Sequence, residues 1–211
     1  ETVKRNDTIF HTGYMYRYNP CVKALREKIK NGEFGRIISI EFQMNECYHT
    51  IDRQWLENFP GGMMFFLGCH MVDFILQTKG LPKQIIPLNL CTGINGITST
   101  DFAMSVLCYD DGNCLVKAAA NEIGQRRHLV VAGTEKTAVI DPIEEYRNGK
   151  IFAKMREMSK GASDKMVSPP FLRYDDMLES FAAMVRGEIK NPYTPDYELT
   201  LYKTLLKCCG V

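Results

Sequence analysis

Residues 61–73 read Gly61-Gly62-Met63-Met64-Phe65-Phe66-Leu67-Gly68-Cys69-His70-Met71-Val72-Asp73. The two glycines precede an apolar run, a pattern that predicts a helix entered from a tight turn. Phe66, His70 and Asp73 are spaced i, i+4 and i+7, so we expect them to share one face of that helix. An imidazole held there is suited to exchange a proton with a bound ligand. A lone histidine on an apolar helix is more often a hydrogen-bonded core residue, however, and the pattern by itself leaves both roles open.

Length and charge limit the classes of function. The chain has 211 residues, 45% of them hydrophobic and 24% charged, which is the usual composition of a globular protein with a sizeable core. Its 26 basic and 25 acidic residues give a formal net charge of +1. Nucleic acids and anionic membrane surfaces are bound by concentrated basic surfaces, so we expect neither as a partner. The longest apolar run, residues 63–76, is shorter than the roughly 20 residues that span a bilayer.

The eight cysteines show no C-x-x-C spacing and no clustered Cys/His pattern, so we expect no metal site. Most of them lie in apolar segments, where a free cysteine acts as a small hydrophobic residue. We therefore expect reduced thiols and a cytoplasmic protein. One pair, Cys108 and Cys114, is spaced so that a hairpin would bring the two residues face to face. The eight are Cys21, Cys47, Cys69, Cys91, Cys108, Cys114, Cys208 and Cys209.

The order of the predicted elements favours an α+β fold. Asn19-Pro20 opens a helix that Asn31-Gly32 closes, and the segment from Arg36 to Asn45 alternates like a strand. The segment from Glu46 to Pro60 is predicted to be a loop that forms the wall or lid of a pocket. Further strands are predicted at 84–91, 102–109, 114–122, 128–133 and 136–140, and helices at 171–186 and 196–209; between 142 and 170 only a turn at 147–150 is assigned.

Several consecutive strands joined by hairpins predict a mostly antiparallel open sheet with helices on one face. On the strand from residue 102 to 109, Phe102, Met104, Val106 and Cys108 form one side, and neither side is strongly polar. Because an antiparallel sheet exposed to water usually alternates cleanly, the second face is expected to be covered. Either a second subunit or loops of the same chain would cover this face, and the residues favour neither.

Segments along the whole chain, four of them in a specific order and spacing, resemble the Gfo/Idh/MocA oxidoreductases, the family of glucose–fructose oxidoreductase and inositol dehydrogenase. They are Gly13-Tyr14-Met15-Tyr16-Arg17-Tyr18-Asn19-Pro20, Asn31-Gly32-Glu33-Phe34-Gly35-Arg36-Ile37, the 61–73 stretch, Gly133-Thr134 and the closing 205–210. The resemblance implies an N-terminal Rossmann domain that binds NAD or NADP, followed by an α+β domain whose sheet supports oligomerisation.

This chain is similar to the second of those two domains. Residues 1–18 resemble the end of the Rossmann domain, its last helix tail and final strand, and residues 19–211 the C-terminal substrate-binding and oligomerisation domain. The Rossmann domain itself is absent from this chain. Gly93-Ile94-Asn95-Gly96 has the wrong spacing for the phosphate-binding fingerprint, and the Glu-Lys-Pro motif with the family's catalytic lysine is missing. We therefore expect NAD or NADP to be bound mainly by the missing domain, with no cofactor-binding residues identifiable here.

The resemblance makes His70 the candidate catalytic residue, and it also reveals a departure. Family members that oxidise sugars commonly carry Asp four residues before this histidine, where Phe66 stands here. A phenyl ring cannot orient the imidazole or stabilise its charged form, and apolar surroundings lower its pKa. Asp73 is expected to be a structural hydrogen-bond partner, or else a partner of His70 itself.

Three further residues are candidates for substrate binding. Arg17, at the join of the two domains, would bond substrate hydroxyls or a carboxylate; a surface salt bridge is the alternative. His49 and Trp55 would line a sugar pocket, since an indole face stacks on a sugar ring. Ordinary packing of the loop is the alternative for both.

Two functions follow as expectations. The first is the C-terminal domain of an NAD(P)-dependent oxidoreductase that transfers hydride between nicotinamide and a sugar or cyclitol, inactive as this chain alone. A small sugar-like substrate and a homo-oligomer formed through the sheet face would be its partners. The second is a divergent, non-catalytic sugar-binding or scaffold member, suggested by Phe66.

Overall fold

The computed structural model describes residues 2–6 and 8–211. Their helices are α1 (Thr2–Arg5), α2 (Pro20–Lys30), α3 (Thr50–Trp55), α4 (Cys69–Lys79), α5 (Asp175–Val185) and α6 (Pro195–Cys209). Their strands are β1 (Ile37–Cys47), β2 (Gln84–Pro87), β3 (Phe102–Tyr109), β4 (Gly112–Ala119), β5 (Asn121–Gly133), β6 (Lys136–Ile140), β7 (Glu145–Arg147), β8 (Lys150–Phe152), β9 (Lys154–Ser159) and β10 (Ala162–Val167).

Eight strands form one open sheet in the order β10-β9-β6-β5-β1-β4-β3-β2, and β7 and β8 pair separately. Every neighbouring pair in the large sheet is antiparallel except β1 with β4, which run parallel with Ile40 opposite Cys114. The carboxyl ends of β1 and β4 therefore meet at one edge of the sheet. The predicted α+β class and the mostly antiparallel open sheet are confirmed.

The helices α2, α4 and α6 cover one face of the sheet. Their apolar stripes pack in one core with the inward residues of β1 (Ile40, Phe42 and Met44), which are all fully buried. In β3 the same alternation buries Ala103, Ser105 and Leu107, while Phe102, Met104 and Val106 on the opposite side stay partly exposed. The sheet therefore has one face under helices and a second, semi-apolar face on the outside.

The structure corrects the predicted hairpin between β3 and β4. Cys108 lies opposite Asn113, and Cys114 lies opposite Leu107. Because Cys114 is buried under the helices and Cys108 is only partly buried, the two thiols do not face each other across the strands. The register is set by a turn shorter than the one predicted, since β4 begins at Gly112 rather than at Cys114. All eight cysteines are free thiols.

The segment 46–60 is not the predicted loop, because Thr50–Trp55 is helical and Leu56–Asn58 forms a 3-10 turn. The helix after the two glycines also differs, since its first turn, Met64–Gly68, is a π-helix and α4 starts only at Cys69. Gly61 and Gly62 have φ values of +69° and +50°, which few other residues adopt.

The N-terminal segment contains no strand among its described residues. Residues 2–5 form α1, residues 8–14 are irregular, and Met15–Tyr18 forms a 3-10 turn. The final strand expected within 1–18 is not formed among the described residues, where no strand lies beside this segment to pair with it. Phe10 O accepts instead from Asn191 Nδ2, between α5 and α6, at 2.7 Å. Glu1 and Asp7 of that expected segment lie outside the described residues.

Candidate active site

His70 lies in the first turn of α4, immediately after the π-helical turn. Its ring is held edge-on between two tyrosines, with centroids 5.5 Å from Tyr14 and 5.3 Å from Tyr16. The residue is partly buried, and its Nδ1 is buried without a hydrogen-bond partner. A buried ring nitrogen without a hydrogen-bond partner is uncommon in folded proteins and destabilising.

Burial dominates the proton affinity of His70 and lowers its pKa to about 4. The carboxylates of Asp73 and Glu144 oppose that shift, whereas the guanidinium groups of Arg127 and Arg17 add to it. The imidazole is therefore neutral at neutral pH. Nδ1 makes no hydrogen bond within the described residues, and the catalytic role of His70 remains a prediction.

Next to His70 lies a charged group that we call the Glu144 cluster, composed of Tyr16, Arg127, Glu144 and Arg173. Glu144 accepts from Arg127 Nη1 at 2.8 Å, from Arg173 Nε and Nη2 at 2.8 and 2.7 Å, and from the Tyr16 hydroxyl at 3.2 Å. Arg127 Nη1 also donates to the Tyr16 hydroxyl at 3.0 Å, and Nη2 pairs with Glu46. The cluster fixes the tyrosine ring that contacts His70.

Arg17 is buried rather than exposed. Its Nε and Nη2 donate to Asp73 at 2.9 and 2.8 Å, and its Nη1 donates to Glu198 at 2.8 Å. The guanidinium also lies 3.6 Å from the Tyr193 ring centroid. With a side chain 1% exposed, Arg17 is not the surface salt bridge considered from sequence, and its role in binding substrate remains a prediction. It joins the N-terminal segment to α4 and α6.

Asp73 has the structural role expected of it. Besides Arg17, it accepts from Gln77 Nε2 and from the Tyr197 hydroxyl, both at 2.7 Å. Arg17, His70 and Asp73 line one small cavity of about 10 Å³, which is no larger than a water molecule requires. This cavity is large enough for one water molecule and too small for a sugar.

Phe66 belongs to an aromatic cluster of six side chains. The Phe66 ring packs against Trp55 at 5.4 Å, Phe59 at 5.6 Å and Tyr48 at 6.4 Å. Phe59 continues the row through Phe65 to Tyr202, with centroid distances of 5.9 and 6.1 Å. At position 66 the chain thus supplies packing for Trp55 and no carboxylate for His70.

Trp55 and His49 lie at the two ends of α3. Trp55 is 49% exposed and has one edge against Phe59 and Phe66, so the rest of its indole faces solvent. His49 is exposed at the N-terminal end of the helix and makes no capping hydrogen bond. Neither residue lines the small cavity beside His70.

A second buried ion pair lies beneath α3 and was not anticipated from sequence. Arg53 Nη2 donates to Asp101 at 2.8 Å and to the Ile94 carbonyl at 2.9 Å. Asp101 also accepts from Thr92 N and Oγ1, both at 2.8 Å, and from Asn121 Nδ2 at 3.3 Å. We call Arg53, Thr92, Asp101 and Asn121 the Asp101 cluster. Burial opposes ionisation of Asp101, but these hydrogen bonds hold its pKa below the usual value.

The sequence offered few signals for these clusters. Tyr16 lies within the 13–20 segment, but nothing in the pattern separates it from Tyr14 or Tyr18. Glu144 lies in the 142–170 region, which sequence periodicity does not resolve. Arg53 and Asp101 are far apart in sequence and become partners only because α3 follows β1 and Asp101 immediately precedes β3.

The turn at residues 93–96 is not built like a dinucleotide-binding turn. Gly93, Asn95 and Gly96 have positive φ values, but their turn lies between β2 and β3 and does not open an α-helix, as a pyrophosphate-binding turn must. In residues 2–6 and 8–211, no group of three or more His, Cys, Asp or Glu side chains is arranged to hold a metal ion. None of the helices described has the length and apolar character needed to cross a bilayer.

The fold is shared with larger oxidoreductases of known structure. A protein from Desulfitobacterium hafniense, provisionally assigned as an NADPH-dependent oxidoreductase, superposes with a TM-score of 0.78 at 13% identity over 99% of this chain. UDP-N-acetylglucosamine 3-dehydrogenase GnnA from Acidithiobacillus ferrooxidans superposes with a TM-score of 0.79 at 12% identity over 99% of this chain. YvaA from Bacillus subtilis, provisionally assigned as an oxidoreductase, superposes with a TM-score of 0.73 at 12% identity over 99% of this chain. At these identities the likeness concerns the fold alone.

The chain spans 64%, 62% and 64% of the length of those three proteins. No curated protein sequence matches it. The family model of the GFO/IDH/MocA C-terminal domain matches residues 22–139, which is more than half of the chain and includes β1, α4 and the first hairpin. The chain therefore belongs to the GFO/IDH/MocA C-terminal domain family of oxidoreductases.

Proposed function

We propose that residues 19–211 are the substrate-binding and oligomerisation domain of an NAD(P)-dependent oxidoreductase acting on a sugar or cyclitol. Membership of the family supports the reaction class. A neighbour in fold acts on UDP-N-acetylglucosamine, which supports a sugar-like substrate. The dinucleotide would be bound by residues outside this chain, since the turn at residues 93–96 is not built like a dinucleotide-binding turn.

The observation that carries the proposal is the neutral, partly exposed imidazole of His70, whose ring is held in place between Tyr14 and Tyr16. In this role, the neutral imidazole accepts a hydrogen bond from the substrate hydroxyl and takes its proton as the carbinol is oxidised. In the reverse direction the imidazolium returns the proton. Burial raises the pKa of the neighbouring Cys69 thiol to about 12, so that thiol remains protonated and is no competing base.

Trp55 is proposed to bind the sugar ring. Its half-exposed indole is braced by Phe59 and Phe66, so its free face keeps a fixed orientation. Apolar C–H faces of sugars pack well on such a surface. Its exposed polar neighbours in the chain, Gln54 and Glu57, and His49 at the other end of α3 are suited to bond the hydroxyl groups.

The test is oxidation of a polyol panel by the full-length protein, followed through the absorbance of NAD(P)H. His70→Gln should lower kcat at least about tenfold, because the proton acceptor is lost. His11→Gln is the matched control, since His11 bonds Tyr18 outside this site at 2.8 Å. Absence of cofactor binding by a normally folded full-length protein would eliminate the enzyme hypothesis.

A second candidate is a sugar-binding or scaffold protein without redox activity. Two observations favour it: Phe66 contributes no carboxylate, and the low pKa of His70 makes the imidazole a weak base at neutral pH. This hypothesis predicts that a polyol quenches Trp55 fluorescence in a protein that shows no turnover. Quenching with turnover supports the enzyme, and quenching without turnover supports this second function.

The outer face of the sheet is proposed to bind a second copy of the chain. Phe102, Met104 and Val106 form a semi-apolar surface there, and Ile86 beside them is 39% exposed. A cytoplasmic location remains part of the proposal, since the eight free thiols suit a reducing compartment.

A further inference from the structure

We propose that Asp101 is a positioning residue that fixes the sugar-binding Trp55 and the His70 helix relative to each other. This inference rests on the proposed function, because it concerns how the two halves of that site are held together. Neither Arg53 nor Asp101 contacts His70 or the Trp55 indole in the hydrogen bonds and ring contacts described above. Their effect on the site therefore passes through the backbone.

The first link runs from Asp101 to Trp55. Arg53 lies on α3, two residues before Trp55, and it binds Asp101 and the Ile94 carbonyl through one nitrogen. The Ser99 hydroxyl donates to the Arg53 carbonyl at 2.6 Å, so the helix is attached to the 92–101 segment through its backbone as well. A six-residue helix has little stability of its own. The orientation of Trp55 consequently depends on these contacts.

The second link runs from Asp101 to the turn that precedes His70. The carbonyl of Thr100, next to Asp101 in the chain, accepts from Met63 N at 2.9 Å. A Cβ on Gly62 would lie 2.1 Å from that carbonyl oxygen, so the two backbones are in direct contact. The π-helical turn that carries the chain into α4 begins at the next residue, Met64.

Asp101 itself is fixed to the sheet, which gives both links a rigid base. Its backbone carbonyl accepts from Ala120 N at 2.9 Å, and the Ala120 carbonyl accepts from Tyr48 N at 2.8 Å, at the end of β1. Its carboxylate is fully buried and accepts from side chains on three segments. Removing one partner of a buried ion pair leaves the other as a buried charge without compensation.

The chain contains a single tryptophan, Trp55, so its fluorescence reports on α3 alone. We would compare acrylamide quenching of Trp55 and the ring resonances of His70 in the wild type, Asp101→Asn, Arg53→Met and Arg53→Lys. Arg36→Met is the control, because Arg36 is an exposed arginine at the opposite end of β1. Far-UV circular dichroism at a temperature well below each melting point establishes that every variant is folded.

Asp101→Asn is expected to raise the quenching constant at least about twofold and to shift the His70 resonances, because both links start there. Arg53→Met should raise the quenching constant with a smaller change at His70, and Arg53→Lys should restore part of the wild-type value. In turnover assays Arg53→Met should raise KM, whereas Asp101→Asn should raise KM and lower kcat together.

The proposal is overturned if a folded Asp101→Asn leaves either reporter unchanged. If Asp101→Asn does not fold, Arg53→Met decides, and an unchanged quenching constant in that variant overturns the proposal. Failure of the proposed function would be distinct: the reporters respond to Asp101→Asn, yet no polyol binds and no cofactor is turned over.

Discussion

Replacing Arg17 by Met tests whether this residue holds the fold together or binds substrate. The guanidinium lies between Asp73 and Glu198 with a side chain 1% exposed. Loss of one partner from such a buried pair typically costs about 3–5 kcal/mol, because the remaining charge is left without compensation. Here two carboxylates remain, so the upper part of that range applies.

For a domain of this length, each kcal/mol lowers the melting temperature by roughly 2–4 °C, so Arg17→Met should melt roughly 10–20 °C below the wild type at pH 7. Differential scanning calorimetry or thermal circular dichroism measures the shift.

Arg186→Met is the matched control, since Arg186 pairs with Glu188 on the surface and its loss should leave the melting temperature nearly unchanged. A triple variant that also carries Asp73→Asn and Glu198→Gln should recover part of the lost stability. A substrate-binding Arg17 would give the opposite result, namely a raised KM with a wild-type melting temperature, and that outcome would refute the reasoning.

Three further predictions concern His70, Gly62 and the outer sheet face. The pKa of His70 is lowered from 6.5 to about 4 by folding. Between these two pH values the imidazole binds a proton in the unfolded chain but not in the folded chain. Stability should therefore fall by about 3 kcal/mol between pH 6.5 and 4, and urea unfolding of His70→Gln should show a correspondingly smaller loss. In Gly62→Ala the new residue would have to keep a φ of +50°, and its Cβ would lie 2.1 Å from the Thr100 carbonyl oxygen. It should cost at least about 2 kcal/mol in urea unfolding, whereas Gly13→Ala, which has open space, should be nearly neutral. Val106→Asp should convert a sedimenting dimer to monomer, and a wild-type chain that is already monomeric would contradict the proposed interface.

The elements with strong local signals were predictable from sequence. The helix at Pro20 forms as expected, with the Asn19 side chain accepting from Cys21 N and Val22 N. The turn after Tyr109 and the terminal helix up to Cys209 also follow from short-range chemistry. These features depend on neighbours in the chain, which the sequence contains explicitly.

The rest depends on partners that are distant in sequence. β10 is an edge strand whose residues are mostly exposed, so its pattern carries no apolar alternation to detect. The contact between Gly62 and Thr100, just before the π-helical turn, joins residues that are far apart in the sequence. At the candidate site, His70 was singled out because the 61–73 stretch resembles a family motif. Glu144 and Asp101 could not be recognised in the same way, because their partners are distant in the sequence.

The parallel pairing of β1 with β4 also dictates the order in which the chain can fold. β1 ends at residue 47, yet its two neighbours in the sheet, β4 and β5, are complete only at residues 119 and 133. At roughly 5–20 residues per second, β1 waits several seconds on the ribosome with both edges unpaired. During that interval its apolar residues, Ile40, Phe42 and Met44, can pack against the helices α2 and α4 but have no strand on either side. Nascent chains stopped before residue 119 should therefore be the species that bind chaperones, and those extended past 133 should be released.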